Sequence, residues 1–109
     1  MELSKSDKKA AREIIEKGLQ QEFAKGLFDV DTILDSWKNK RTNNQDTYYK
    51  LYKQIIDFDK HIARRYDRMS GSTYLFIIAG QLADELITET DLNGLTDETK
   101  ATVKMIAGL

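Results

Sequence analysis

One short segment holds the residues of this chain that are best suited to chemistry. The stretch DKHIARRYDRMSG, residues 59–71, contains the single histidine, His61, among four Lys/Arg and two Asp side chains. A histidine base needs an acid that orients it and a nucleophile within reach. Asp57 lies four residues before His61, so the two would share one helix face and could pair. Such pairs are common on surface helices, and no second catalytic group accompanies this one. We therefore expect a protein that is not an enzyme and has no catalytic residues.

Metal and cofactor chemistry also find little support in the composition. The chain has no cysteine and one histidine, so thiolate sites are excluded and a zinc site would need mostly carboxylates. Gly71 and Gly80 fit neither the P-loop nor the dinucleotide-binding pattern. We expect neither a metal nor a cofactor.

Charge is distributed unevenly along the chain. The net charge is −1, but residues 32–71 hold nine Lys/Arg and five Asp/Glu, whereas residues 72–109 hold two and six. A basic middle could attract nucleic acid, an acidic protein surface, or the acidic end of a second copy. The pI of about 5.8 weighs against a general nucleic-acid binder.

The cations cluster near two predicted helix ends, where the helix dipole alone favours positive charge. Acidic residues interleave with the second cluster and would repel phosphate. A small helical nucleic-acid-binding regulator is therefore the alternative interpretation and not the leading one. The two clusters are Lys38, Lys40 and Arg41, and Arg64, Arg65 and Arg68.

Length and composition indicate a single globular domain, residues 1–109. Apolar residues make up 40% of the 109 residues, and no run of about 18 apolar residues exists that could span a membrane. The segment MELSKSDKK lacks the apolar centre of a signal peptide. These observations predict a soluble cytoplasmic protein that does not contact membranes.

Two helices are predicted in the first third of the chain, which has no proline to interrupt them. The first spans about residues 7–25, is capped by Ser4 or Ser6, and ends at Gly26, since glycine readily adopts the left-handed conformation. The second is capped by Asp29 or Asp31 and ends in the polar run of residues 38–46.

A long central helix is predicted from about Asp46, its expected cap, to Met69. Apolar residues recur along it at steps of three and four, and its length would be roughly 36 Å. A long helix with a continuous apolar stripe often completes its burial against a second chain, so we expect a homodimer. The expected dimer surface consists of Tyr48, Leu51, Tyr52 and Ile55.

Two shorter helices follow. Ser72 can cap an apolar helix in which Tyr74, Ile78 and further residues recur at steps of four, and Thr96 can cap a last helix after a turn at residues 93–94. The sequence thus predicts an all-α fold of about five helices with one long central helix.

The order of features from residue 49 to 106 resembles the fluorescence recovery protein family. A long polar helix ends in ARRYDR, a short break follows, and STYLFIIAGQLADEL and TDLNGLTDETKATVKMIA come next. The segment EKGLQQEFAKGL near the start is similar, though less specifically. The matching positions are Tyr66, Asp67, Phe76, Ala79, Gln81, Leu82, Leu92, Gly94 and Leu95.

This resemblance implies an all-α homodimer that is not an enzyme. Members of the family bind the photoactivated orange carotenoid protein, speed its return to the resting state, and help detach it from the light-harvesting antenna. Physically, such a protein must bind the relaxing intermediate more tightly than the starting state.

The chain departs from the family at the partner-binding helix. There the family carries a tryptophan, then a histidine–aspartate pair, then an arginine, where this chain has Tyr49, Tyr52–Lys53 and Asp59. Two charges are therefore reversed, and a surface complementary to the family pattern would meet like charges here. We expect a changed protein partner, bound by Tyr49, Lys53, Asp59, Arg64, Arg65 and Arg68.

Overall fold

The computed structural model describes residues 2–109, and every regular element in this range is helical. The elements are α1 (Lys5–Lys38), α2 (Asn44–Tyr66), α3 (Tyr74–Ala83), a 3₁₀ helix (Glu89–Gly94) and α4 (Asp97–Ile106). The predicted all-α class and the number of helices are confirmed. The longest helix, however, is α1 with 34 residues, and the central helix α2 has 23.

The predicted break at Gly26 is wrong, because α1 runs through it without interruption. A glycine ends a helix when it takes the left-handed conformation, and Gly26 does not. It is buried instead, and a Cβ atom at this position would lie 2.7 Å from the Cζ atom of Phe58. The glycine therefore marks the close approach of an aromatic ring, and the two helices predicted before Lys38 are one.

Three helices end with the same backbone arrangement. The second residue after each helix has a positive φ, which is 59° at Lys40, 60° at Glu85 and 81° at Gly108. After α1, the Lys40 N–H donates to the Trp37 carbonyl at 3.0 Å, and the next N–H donates to the Ser36 carbonyl at 2.9 Å. This is the Schellman motif, which glycine normally closes. Two of the three motifs use a charged residue instead.

The first turns of α1 and α4 are capped by side chains. The Ser4 hydroxyl accepts from the Asp7 N–H at 3.1 Å, so Ser4 is the cap of the two serines considered. Thr96 caps α4 as predicted and accepts from the Thr99 N–H at 3.4 Å.

Two other predicted caps are wrong by a few residues. Asn43 caps α2, and its Oδ1 atom accepts from the N–H of Asp46 at 2.7 Å. Asp46 lies inside the first turn, where a carboxylate also suits the helix dipole. The residue that precedes α3 is Thr73 and not Ser72.

The chain divides into two compact units, between which α1 is shared. The hairpin unit is Phe23–Asp67, and the terminal unit comprises the described residues before Phe23 together with Arg68–Leu109. Each is described separately below.

The terminal unit has a closed apolar core. Ile78 and Val103 are fully buried within it, and side chains from α1, α3, α4 and the connecting segments complete the packing. The buried apolar residues are Leu3, Ala11, Ile14, Ile15, Leu75, Ile77, Ile78, Ala79, Leu82, Leu86, Ile87, Leu92, Leu95 and Val103.

A buried amide ties α1 to α3 inside this core. Gln81 is fully buried, and its Nε2 atom donates to the Ile15 carbonyl of α1 at 2.9 Å. The side chain lies directly over Gly18, where a Cβ atom would come within 2.3 Å of the same Nε2 atom. Gly18 thus lets the two helices approach closely enough for the hydrogen bond to form.

A buried carboxylate ties α1 to α4. Asp7 is only 3% exposed and accepts from the Thr99 hydroxyl at 2.6 Å, from the Thr96 hydroxyl at 3.0 Å and from the Thr96 N–H at 3.0 Å. These bonds, led by the one from Thr99, hold the pKa of Asp7 below its ordinary value of 3.8 even though burial acts in the opposite direction.

An ion pair joins the 3₁₀ helix to α1. The Asp91 carboxylate forms an ion pair with Lys17 and accepts from the Thr88 N–H at 2.8 Å. The bond from Lys17 is the main reason why the pKa of Asp91 also lies below 3.8. The segment that the sequence predicts only as a turn is therefore a short 3₁₀ helix held against α1.

The hairpin unit is an antiparallel pair formed by the second half of α1 and by α2. The rings of Phe23 and Phe58 meet edge to face with centroids 5.7 Å apart. Nearer the turn, Trp37 Nε1 donates to Asn44 Oδ1 at 2.8 Å. Because positions early in this part of α1 meet positions late in α2, the two helices run in opposite directions.

Although α1 and α2 are long enough to cross a bilayer, no helix among residues 2–109 combines that length with sufficient apolar character.

Candidate functional site

The hairpin unit exposes its apolar side chains. None of the buried apolar residues of the described chain belongs to it. Most of the large apolar side chains that are exposed do, and contiguous exposed apolar surface commonly marks a protein–protein interface. These exposed residues of the unit are Phe23, Leu27, Phe28, Trp37, Tyr48, Tyr49, Tyr52 and Ile55.

The residues predicted for the dimer surface lie on one side of α2. Tyr48, Tyr52 and Ile55 are exposed, with Ile55 at 53%, and Leu51 is half-buried. Their spacing of three and four residues puts them in a single stripe. The stripe is open to solvent in the single chain, so its role as a dimer surface stays a prediction.

An apolar groove runs beside this stripe, between the two helices of the hairpin unit. It has a volume of about 210 Å³, and its floor is formed where Phe58 lies over Gly26. Ile55 lines it from α2, and Leu27 lines it from α1. The candidate dimer surface therefore extends beyond α2 onto α1.

The contribution of α1 was missed in the sequence. Leu27 follows Phe23 by four residues, which is the spacing of one helix face, and both line the groove. This spacing is hard to recognise in the sequence because Gly26 predicts a helix end, which leaves Leu27 and Phe28 outside the predicted helices.

Three of the six residues predicted for partner binding share a face of α2. Tyr49, Lys53 and Arg64 are exposed and separated by four and eleven residues, which brings them to one side of a helix with 3.6 residues per turn. Lys53 forms an ion pair with Asp57 at 2.6 Å on this face. This bond is the main reason why the pKa of Asp57 is lowered.

The other three residues lie elsewhere. Asp59 lines the apolar groove, next to Ile55, and so stands on the side of the dimer stripe. Arg65 is half-buried, and Arg68 lies beyond the end of α2. The set predicted as one partner surface is therefore not a single surface.

The histidine considered as a base is exposed on α2. The ring of His61 lies 6.4 Å from the ring of Phe58, tilted by 40°. The carboxylate of Asp57, its expected partner, accepts from Lys53. Across residues 2–109, no three His, Asp or Glu side chains come together in a way that could hold a metal ion.

The chain is thus an all-helical protein in which the terminal unit holds the apolar core and the hairpin unit exposes apolar side chains. Among solved structures, this architecture is similar to that of the fluorescence recovery protein from Synechocystis sp PCC 6803, with a TM-score of 0.78. The likeness covers 98% of this chain and 99% of that one, at 21% sequence identity. An arginine-to-lysine mutant of the same protein gives the same values.

The sequence comparisons add nothing to this likeness. No protein-family model matches the chain, and no curated protein is significantly similar to it. The resemblance inferred from the ordered residues is thus confirmed at the level of the fold, over nearly the whole chain.

Proposed function

We propose that this chain is a non-enzymatic, homodimeric interaction protein of the fluorescence recovery protein type, with a protein partner that has changed. The observation that carries the proposal is the exposed apolar surface of the hairpin unit. Two helices that bury no apolar side chain completely gain little stability by themselves, because most helical stability in proteins comes from packing an apolar face.

A second copy is the occupant that best fits the groove side. A two-fold interface needs one surface that complements itself. The stripe of Tyr48, Tyr52 and Ile55, the groove beside it and Leu27 offer aromatic and aliphatic residues of the kind enriched in interface centres. In such a dimer, Asp59 would lie at or near the interface and not on a partner surface.

Light scattering after size-exclusion chromatography tests the dimer. We expect twice the mass of a 12.6 kDa chain, and a monomer mass for Ile55→Glu. Lys53→Glu is the matched control, because it places the same charge on another face of α2 and should leave the dimer intact. A wild-type monomer, or a dimer that resists Ile55→Glu, would contradict the assignment.

The changed partner is supported by the charges on α2. Lys53 lies on the face that the proposed dimer leaves free, and it has the opposite charge to the acid that the resemblance implies at this position. Like charges across an interface lower affinity and specificity. The face formed by Tyr49, Lys53 and Arg64 is the proposed contact with the new partner, which we expect to be acidic.

A colour-reversion assay tests this part of the proposal. The chain is mixed with photoactivated orange carotenoid protein, and the return to the resting colour is timed against the Synechocystis fluorescence recovery protein as positive control. We expect no acceleration. The variant Lys53→Asp restores the implied acid on the partner face and should gain some acceleration. Clear acceleration by the unchanged chain would refute the changed partner.

A further inference from the structure

The turn between α1 and α2 forms an open pocket that the proposed interface does not use. Its volume is about 530 Å³, within the usual range for small-molecule sites. It lies at the end of the hairpin unit where Trp37 and Asn44 are hydrogen-bonded. The lining residues are Trp37, Lys38, Lys40, Arg41, Thr42, Asn43 and Asn44.

The charged side chains that line this pocket are all positive. They are Lys38, Lys40 and Arg41, and none of the three forms an ion pair within residues 2–109. The Asp46 carboxylate contacts the lining and accepts from Asn43 Nδ2 at 2.8 Å. The lining itself therefore carries three positive charges and no negative one.

Capping of α1 does not occupy these cations. Near the end of the helix, the Trp37 carbonyl already accepts from the Lys40 N–H and the Ser36 carbonyl from the Arg41 N–H. The side chains of Lys40 and Arg41 are therefore not needed as donors to the helix end. The first turn of α2, which begins at Asn44, adds the positive end of its dipole on the same side.

An aromatic ring completes the pocket. Trp37 is 41% exposed, and the hydrogen bond from its Nε1 atom to Asn44 Oδ1 holds the indole in place at 2.8 Å. An indole face held in this way can stack on a planar base, and nearby cations can bind phosphate oxygens.

We propose that this pocket binds a mononucleotide, with its phosphates on Lys38, Lys40 and Arg41 and its base against Trp37. A mononucleotide fits better than a nucleic-acid strand because the three cations of the pocket all lie in this one turn. The chain as a whole has a net charge of −1, and residues 72–109 are acidic, which disfavours a long polyanion. The proposal does not depend on the dimer or on its protein partner.

Intrinsic fluorescence tests the site directly, because Trp37 is the only tryptophan of the chain. ATP is titrated into the full-length protein with excitation of the indole, beside tripolyphosphate and adenosine. We expect saturable quenching by ATP, weaker binding of tripolyphosphate and no response to adenosine. Binding of ATP should weaken as the salt concentration rises.

The backbone at Lys40 provides a variant whose loss of binding cannot be attributed to unfolding. Lys40→Gly removes one cation and also relieves the positive φ of 59°, so the fold should not suffer. We expect its affinity for ATP to fall about fivefold. Glu85→Gly is the matched control, with the same relief at a φ of 60° in the terminal unit and no change in affinity.

Several results would overturn the proposal. They are the absence of saturable quenching, an equal response to adenosine, and unchanged affinity in Lys40→Gly. Equally tight binding of tripolyphosphate would exclude a role for the base. A random single-stranded oligonucleotide that binds more tightly than ATP would assign the surface to nucleic acid instead.

Discussion

The two units of this chain use the same kinds of residue in opposite ways. In the terminal unit, apolar side chains are buried and the polar groups among them, Gln81 and Asp7, are hydrogen-bonded to backbone or hydroxyl groups. In the hairpin unit, apolar and aromatic side chains such as Tyr52 and Ile55 are exposed on well-formed helices. The comparison indicates that apolar burial stabilises the terminal unit, whereas the hairpin unit leaves much of its apolar surface exposed.

Truncating one aliphatic side chain in each unit should show the largest difference. Ile78→Ala removes a fully buried side chain, and we expect it to lower the free energy of unfolding by about 3–4 kcal/mol. Ile55→Ala removes a side chain that is 53% exposed, so it should weaken the dimer and change the stability of a dissociated chain by less than about 0.5 kcal/mol. Urea unfolding at several protein concentrations separates these effects. Equal losses at low concentration would contradict the comparison.

The two internal glycines of α1 provide a matched pair. At Gly18 a methyl group would press on the fully buried Gln81, and we expect Gly18→Ala to cost about 2 kcal/mol. At Gly26 it would press on the outer edge of Phe58, which is only half-buried and can move. The better helix propensity of alanine, about 1 kcal/mol, should then make Gly26→Ala nearly neutral. Thermal unfolding compares the stability of the two variants. A larger loss of stability in Gly26→Ala would contradict the view that the terminal unit is the more tightly packed.

Acid sensitivity should belong mainly to the terminal unit. The pKa of Asp7 is lower in the folded chain than its ordinary value of 3.8, so ionised Asp7 stabilises the fold above that pH. The contribution is lost as the pH falls through the lowered folded-state pKa. Asp7→Asn should therefore cost about 1–2 kcal/mol at neutral pH and flatten the loss of stability in acid.

Two controls accompany the acid experiment. Asp91 also has a lowered pKa and should retain part of the acid dependence in Asp7→Asn. Asp57→Asn in the hairpin unit removes an exposed carboxylate whose pKa is lowered by Lys53, and should leave the profile unchanged because surface pairs contribute little. An acid limb that is identical in wild type and Asp7→Asn would refute the role of the buried carboxylate.

The smallest effects should be equal in the two units. Lys40→Gly and Glu85→Gly each relieve a positive φ, one in the hairpin unit and one in the terminal unit. The relief exceeds the added entropy of glycine in the unfolded chain, so each variant should gain about 0.5 kcal/mol. Differential scanning calorimetry would show a small rise in the transition temperature. A loss in either variant would mean that the lysine or glutamate side chain stabilises its helix end.

The helical class and the terminal core were predictable from residue periodicity. Ala11, Ile14 and Ile15 recur at helical spacing in the sequence and are all buried, and Thr96 caps the last helix as predicted. The continuity of α1 was not predictable by these rules. Whether Gly26 ends a helix or admits a ring depends on Phe58, which is remote in sequence.

The candidate surface was predicted only in part. The stripe of Tyr48, Tyr52 and Ile55 follows from spacing, and excess apolar character on α2 indicated that it would be exposed until a second chain covers it. Asp59 was grouped with Lys53 because of a charge comparison along the sequence. A helical projection at about 100° per residue would have separated the two, since six residues rotate the side chain to another face.

The hydrogen bonds of Asp7 also have a consequence for the order of events during synthesis. Thr96 is polymerised 89 residues after Asp7, so the clamp between α1 and α4 cannot close until almost the whole chain has been made. The hairpin unit is contiguous and its contacts are nearer in sequence, so it can form first. A nascent chain therefore exposes the apolar side chains of the hairpin unit before the hydrogen bonds that join α1 to α4 can form.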